Sequence, residues 1–351
     1  MHVAVDGRAL RPGAARARGV ARYLRCLLDE LARAFPDDRY DVVDLGRLGL
    51  AAAAIAGRPR LDRLAGGCDV AWMPAPAPVA LSDATPLVLT VHDLSFEHRP
   101  GDFRAYDRLW LRLARPARLA RRAQRVICVS DATRRAVVEE WSVEPERALT
   151  VRPGPGRVAP EGAASSGGVT GAAAPEEPFF LAVGALEPRK LPVVTVDAHQ
   201  IARARGLRAG LVFAGDGPLR DELGGARVKV LGHVPDALLD DLYERALAVV
   251  CASREEGFGF TPLEAAARGT PAVVADLPAF DETLGDAALR VPAGDAEALA
   301  NALTRLESEP ELRARLAAAA REAVRSLSWT DAARATRTAL AAAANIKGQT
   351  L

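Results

Sequence analysis

The sequence predicts an α/β protein of two Rossmann-like domains, each a doubly wound parallel sheet. Three observations carry that expectation. At 351 residues the chain exceeds one ordinary core and suits two domains of common size. Short apolar runs of strand length alternate with amphipathic helical periods along most of it, the pattern of parallel strands buried on both faces. Residues 248–276 hold a strand, a glycine loop, a helix and a second strand in one run.

Composition narrows the function classes. Apolar residues make up 49% and charged residues 26%, ordinary for a globular protein with a large core. A net charge of +1 argues against a nucleic-acid binder that relies on general basic excess, so no nucleic-acid partner is expected. Cys26, Cys68, Cys128 and Cys251 form no CxxC pair, which points to a reducing cytoplasm and no metal site. No apolar run approaches the length of a membrane span, so the expectation is a cytoplasmic protein, with peripheral contact at the inner membrane face left open.

Taken in order, His2–Asp6 reads as a buried strand, followed by a loop from Gly7 to Gly19 and a helix marked by Val20, Tyr23, Leu24, Leu27, Leu28 and Leu31. Gly19 before that helix can admit a phosphate or sugar close to the backbone, and a plain turn explains it equally. The strand 86–91 delivers His92 to its C-terminal end, where open α/β sheets bind ligands; a histidine bonded within a turn is the other reading. Residues 108–125 are helical and crowded with arginine. They form either a solvated face or a cationic surface for anionic lipid or an anionic acceptor. Ser130 caps a helix running to Glu140. Residues 1–156 thus make the first domain, and 157–177, rich in Ala, Gly, Ser and Pro, a linker.

The second domain, 178–325, opens with the strand Phe179–Val183, and Glu187-Pro-Arg189-Lys190 follows it at the ligand edge. A glycine turn after the next strand holds Gly215 and Asp216, and Val234 lies in the loop after the strand that begins at Val228. Within 248–276, Gly257 and Gly259 open a loop whose amides can face a ligand. Thr261 is placed as an N-cap and Gly269 as a helix end; Thr261-x-x-Glu264 has capping-box spacing. The helix N-terminus would then cradle phosphate oxygens. Glu256 has no such local explanation beyond a solvated charge cluster. Residues 326–351 form a last helix and tail.

The run EGFGFTPLE followed by AAARGTPAVVADLPAFDETLGDAA resembles the signature of the family 4 retaining glycosyltransferases of GT-B fold, and VHDLSFEHRPGDF resembles their mannosyltransferase-like branch. The likeness covers nearly the whole chain. It departs at 185–191, where the family often has Asn after the Lys, and at Arg245-Ala-Leu, where it often has Ala-Asp; both departures bear on donor details. The resemblance implies a GT-B fold, two facing domains with a cleft and a C-terminal helix crossing back to the first. It implies that Glu256 contacts the donor sugar, Glu264 binds the ribose, and Gly257, Phe258, Gly259 and Phe260 meet the diphosphate. It also implies that Arg189 and Lys190 balance the leaving diphosphate, that the loop holding Val234 lies against the base, and that His92 sits beside the reacting sugar. Gly19 and Arg22 match the loop that faces the cleft.

The function expected is metal-independent, retaining hexosyl transfer, with no cofactor, from a nucleotide-diphosphate sugar, GDP-mannose first, to a glycan, lipid-linked or small-molecule hydroxyl. An epimerase or hydrolase on the same scaffold, and a non-catalytic two-lobed sugar-binding protein, are the alternatives. The last usually comes with an export signal, which the sequence does not show.

Overall fold

A computed structural model describes residues 1–11, 18–156, 175 and 177–346. The expected linker falls almost wholly outside these residues, as do part of the 7–19 loop and the end of the tail. The chain forms two compact units, residues 1–154 with 327–351 and residues 155–326.

In the first unit the chain runs through β1 (His2–Asp6), α1 (Arg18–Ala34), β2 (Arg39–Val43), α2 (Gly46–Ala56), α3 (Leu61–Leu64), β3 (Val70–Met73), β4 (Leu87–Val91) and α4 (Ser95–His98). It continues with α5 (Ala105–Ala114), α6 (Pro116–Arg122), β5 (Arg125–Cys128), α7 (Asp131–Trp141) and β6 (Ala148–Thr150). Six described strands pair in parallel in the order β2-β1-β3-β4-β5-β6. Strands β3 and β4 are buried at every position, because a parallel sheet is covered on both faces. The arginine-rich stretch is two helices, broken at Arg115 (φ 48°) ahead of Pro116.

The second unit runs β7 (Phe179–Val183), α8 (Pro192–Ala204), β8 (Gly210–Ala214), β9 (Val228–Gly232), α9 (Asp236–Arg245), β10 (Ala248–Cys251) and α10 (Phe260–Ala267). It closes with β11 (Ala272–Ala275), α11 (Pro278–Thr283), β12 (Leu289–Val291), α12 (Ala296–Ser308) and α13 (Pro310–Val324). The described strands are again parallel, in the order β12-β11-β10-β7-β8-β9. Each unit is therefore the doubly wound sheet that the alternating pattern calls for.

The last helix, α14 (Trp329–Ile346), belongs to the first unit, where it packs along α1 and against β3, β4 and β5. Ser328 starts it by accepting from Asp331 N at 3.2 Å. Trp329 meets the Tyr23 ring with centroids 6.1 Å apart, and Arg337 donates to Asp38 at 2.8 Å. None of the described helices is long and apolar enough to cross a membrane.

Strand order fixes where ligands can enter. In the second sheet the chain steps from β7 out to β8 and β9, then returns to place β10 on the other side of β7. Loops leaving β7 and β10 diverge there and open a crevice at the C-terminal edge. The first sheet has its switch between β1 and β3.

Candidate functional site

The crevice beside β7 and β10 gathers most of the charged residues singled out above. After β7 the chain makes a short turn at Pro188–Lys190 and passes through Leu191 at φ 51°. Arg254 N donates to Arg189 O at 2.8 Å, which ties this loop to the one leaving β10. The Lys190 ammonium donates to Glu256 Oε1, and Ser253 Oγ reaches the same oxygen at 2.6 Å. Cys251 Sγ lies 3.6 Å from it. Arg189 pairs with Glu187 at 3.4 Å.

Glu256 therefore has partners after all, Ser253 from its own loop and Lys190 from a loop that sequence spacing does not connect to it. Its carboxyl feels burial, which works to raise the pKa, but Lys190 and then Arg189 outweigh that and hold it below the ordinary carboxylate range. It is an anion with its charge balanced by two cations. The Cys251 thiol is pushed up to about 12, first by burial and then by Glu256, so it stays protonated.

The glycine loop corrects the expected cap. Gly259, at φ 83°, holds the N-cap position and α10 begins at Phe260, so Thr261 lies inside the helix. Its hydroxyl faces Val183 O at 3.4 Å. A β-carbon on Gly259 would fall 2.3 Å from the Phe280 ring, so this position requires glycine twice over. Glu264 does not close a capping box: its side chain is buried, and Tyr243 Oη donates to its Oε2 at 2.8 Å. Gly259 thus offers α10 no side-chain cap of its own. Phe258 is buried and packs edge-on against Phe260 at 5.4 Å, so Gly257 to Phe260 present mainly backbone.

Gly215 and Asp216 support the neighbouring loop. A β-carbon on Gly215 would sit 1.8 Å from Gly184 O, and Asp216 O accepts from Leu186 N at 3.1 Å, holding the turn that carries Arg189 and Lys190. Val234 follows β9 and is half-buried, one loop further along the same edge.

In the first unit, His92 directly follows β4 and its Nε2 donates to Pro74 O at 2.9 Å. That bond selects the Nε2–H tautomer and leaves Nδ1 as an acceptor. Burial lowers the imidazole pKa, against the opposing pull of the Pro74 carbonyl and Asp93. Tyr23 stands edge-on to the ring, centroids 4.8 Å apart at 86°. Arg22 precedes it on α1, and Gly19 sits within the first turn of that helix, where an added β-carbon meets nothing within 4 Å.

Sequence reasoning missed four residues. Asp6, 1% exposed at the end of β1, lies 3.0 Å from Arg8 Nε, and Arg8 reaches across to Ala75 O at 3.1 Å. Burial, opposed by Arg8, raises the Asp6 pKa. An acid closing an apolar strand was the available signal. Ser253 had only its place three residues before Glu256 in the same loop, and Tyr243 had none, because its partner Glu264 comes from another helix.

Two family profiles match the chain: Glycosyl transferases group 1 over residues 171–323 and Glycosyltransferase Family 4 over residues 55–154. A phosphatidyl-myo-inositol mannosyltransferase of Mycobacterium leprae is 39% identical over 153 residues, 41% of this chain and 41% of that protein. The O-antigen chain mannosyltransferase RfbU of Salmonella typhimurium is 28% identical over 239 residues, 64% of this chain and 61% of that protein. The matched regions thus span less than two thirds of these relatives. Among solved structures, Anabaena Alr3699/HepE in complex with UDP and glucose superposes with TM-score 0.68 at 19% identity, covering 97% of this chain and 100% of that one. WaaG, a glycosyltransferase involved in lipopolysaccharide biosynthesis, gives TM-score 0.70 at 16% identity, covering 97% and 99%.

Proposed function

We propose, since the chain belongs to the family 4 glycosyltransferases of GT-B fold, that it transfers a hexosyl group from a nucleotide-diphosphate sugar to a hydroxyl acceptor. One observation carries the donor side: Lys190 beside Glu256, in the same crevice region as the N-terminus of α10. An ammonium has three donors, and Glu256 engages one, so two remain for phosphate oxygens. Arg189 adds a second cation. As the bond from C1 to the diphosphate breaks and the acceptor oxygen takes C1, negative charge grows on the leaving phosphate, where these donors act. Glu256, held ionised, accepts from sugar hydroxyls or balances positive charge at C1. Glu264 is assigned to the ribose and the loop at Val234 to the base. On the first unit, His92 Nδ1 accepts a hydroxyl hydrogen.

Mannose is the sugar supported first, because two relatives carry mannosyltransferase names, and GDP-mannose is the donor to try. The reaction is proposed to retain the anomer and to need no divalent metal, with Arg189, Lys190 and the α10 amides meeting the charge that a metal would otherwise meet. Among the described residues none of the four cysteines is in a disulfide, which suits a reducing compartment, and we place the reaction in the cytoplasm.

The test is a thermal-shift panel of GDP, UDP and their sugars, followed by transfer assays with excess EDTA. A ligand at about a hundred times its Kd stabilises by about 2.7 kcal/mol, enough to rank the bases. GDP-mannose ahead of UDP-glucose, with an unchanged anomer in the product, supports the reading. An inverted product removes the retaining assignment; loss in EDTA restored by manganese removes metal independence.

A further inference from the structure

The apolar strand β1 ends on a buried acid, Asp6, that the reaction proposed above leaves unused. Gly7 after it is fixed on β2: its N–H donates to Val43 O at 2.9 Å, and an added β-carbon would fall 2.4 Å from Val42 Cγ1. The turn Arg8–Leu10 then brings the Arg8 side chain back onto Asp6. Arg8 N donates to Asp6 Oδ1 at 3.2 Å, and Arg8 Nε stands 3.0 Å from Oδ2. One side of the guanidinium is thereby aimed, and its Nη2 donates to Ala75 O at 3.1 Å and to Pro76 O.

Both carbonyls belong to Pro74-Ala-Pro-Ala-Pro78, the segment that leaves β3. Its alternate prolines supply no N–H, so it meets its neighbours chiefly through carbonyls. Strand order sets β3 between β1 and β4, and three successive carbonyls are taken from the two sides. Arg8, from the β1 side, holds those of Ala75 and Pro76, while His92, from the β4 side, donates to that of Pro74. Among the described residues the His92 ring makes no other hydrogen bond: the Asp93 carboxylate accepts from Ser95, Tyr23 offers a ring edge, and Thr133 Oγ1 donates to the His92 carbonyl.

We propose that Arg8, aimed by Asp6, is a positioning residue for His92: it fixes the 74–76 backbone so that the Pro74 carbonyl meets Nε2–H and Nδ1 is left as the acceptor. The ring of Pro76 sets its φ, so a guanidinium holding the carbonyls on either side of that ring fixes its ψ as well. The Pro74 carbonyl then lies one residue, Ala75, from a rigid unit.

The tautomer can be read directly, whether or not sugar is transferred. Two-bond proton–nitrogen correlation spectra of the isotope-labelled full chain at about pH 8, where imidazole is neutral, distinguish the two ring nitrogens, and His92→Gln assigns the signals. Wild type shows one tautomer, Nε2–H. Arg8→Met keeps most of the stem and removes the fork, so both tautomers are populated and the two nitrogen shifts move toward each other. Arg8→Lys restores the order in part, because a compact ammonium replaces a planar fork. Asp6→Asn keeps the shape, removes the charge that aims Arg8, and shifts the signals the same way by less; it carries the test if Arg8→Met fails to fold. The signals come from folded molecules, so a variant that only loses stability keeps the wild-type shifts. The effect on turnover rests on the role given to His92 above: with GDP-mannose, Arg8→Met lowers kcat about tenfold, the order of one lost hydrogen bond, and leaves the donor KM within about twofold. A shifted tautomer with unchanged turnover supports the positioning role and removes His92 Nδ1 from the transfer, so the two readings fail separately. One tautomer retained in Arg8→Met and Asp6→Asn overturns the proposal. So does a raised acceptor KM with the wild-type tautomer, which would make Arg8 a substrate contact.

Discussion

The two sheets are alike in construction and opposite in the chemistry at their edges. Beside β7 and β10 the loops bring Arg189, Lys190 and Glu256 together, and the carboxyl is held ionised by the cations. At the end of β4 in the first unit, His92 is kept neutral by burial, fixed by one carbonyl and the edge of a tyrosine. The same architecture thus builds one edge from balanced charge and the other from packing. On the function proposed above, charge at the first would let a diphosphate exchange ionic partners without a bare ion in either state. Neutrality at the second keeps a lone pair available near physiological pH.

The strongest way to break the comparison is Glu256→Gln. Turnover should fall about a thousandfold, some 4 kcal/mol of barrier, if the anion acts on the sugar. The ion pair also gives Glu256 a part in stability that sequence spacing does not show. Lys190 and Glu256 are 23% and 11% exposed, so the expected cost lies between an exposed and a fully buried pair, about 2 kcal/mol. Unfolding curves beside steady-state kinetics separate the two effects. Turnover that merely tracks the folded fraction would make the residue structural.

Next in size is Lys190→Ala, expected to lower kcat about a hundredfold with a smaller change in donor affinity, as for a lost transition-state contact. Lys190→Arg should recover only part, because a planar fork replaces a compact ammonium. Arg189→Ala, one residue away and paired with Glu187, should follow in the same direction. Turnover near wild type in all three would leave the α10 amides as the support for the diphosphate.

How much of this was legible depends on whether a signal is local. Strand runs such as AVVC at 248–251 and LVLTV at 87–91 announce buried parallel strands by composition alone, and both form. The glycine loop and the helix after it are equally local. Thr261 and Glu264 show the limit: their spacing is right for a capping box, but Gly259 takes the cap at positive φ and Tyr243, from α9, claims the carboxylate. The contacts of Glu256 with Lys190, and of His92 with Tyr23, join residues 66 and 69 positions apart, and only the sheet's strand order brings them together.

A smaller effect distinguishes the edges by pH. Burial depresses the folded pKa of His92, so between that value and the ordinary 6.5 the unfolded chain binds the extra proton. Stability contributed by neutral His92 is therefore full above 6.5 and declines as pH falls through that window. The Glu256 contribution, also from a depressed folded pKa, is full above the ordinary carboxylate value of 4.5 and declines only below it. Denaturant midpoints measured across the mildly acidic range should fall for the wild type and fall less for His92→Gln. His199, also depressed chiefly by burial, maintains part of the slope in that variant. A slope identical in both proteins would show that His92 is as free to protonate when folded as when unfolded.

The smallest expected effect is Tyr23→Phe, and it probes packing without charge. Tyr23 is 0% exposed, with its ring against His92 and Trp329; the hydroxyls of Thr90 and Thr336 lie beside its own and oppose the upward push of burial on its pKa, although no hydrogen bond of full geometry forms among the described residues. A buried hydroxyl held only by poorly aligned partners recovers little of its desolvation cost, so removing it while keeping the ring should change stability by about 1 kcal/mol at most. His92 should keep its orientation, since both Pro74 O and the aromatic edge remain, and kcat should change less than about twofold in step with that. Tyr23→Leu is the counterpart: it removes the edge contact, worth about 1 kcal/mol beyond area, and leaves unfilled space beside His92. If Tyr23→Phe instead loses more than about 2 kcal/mol, the hydroxyl is well satisfied, by water or by the neighbouring hydroxyls of Thr90 and Thr336. The His92 edge would then rest on a polar network joining α1 to α14, and the contrast with the charged edge of the second unit would lie in the kind of polar contact.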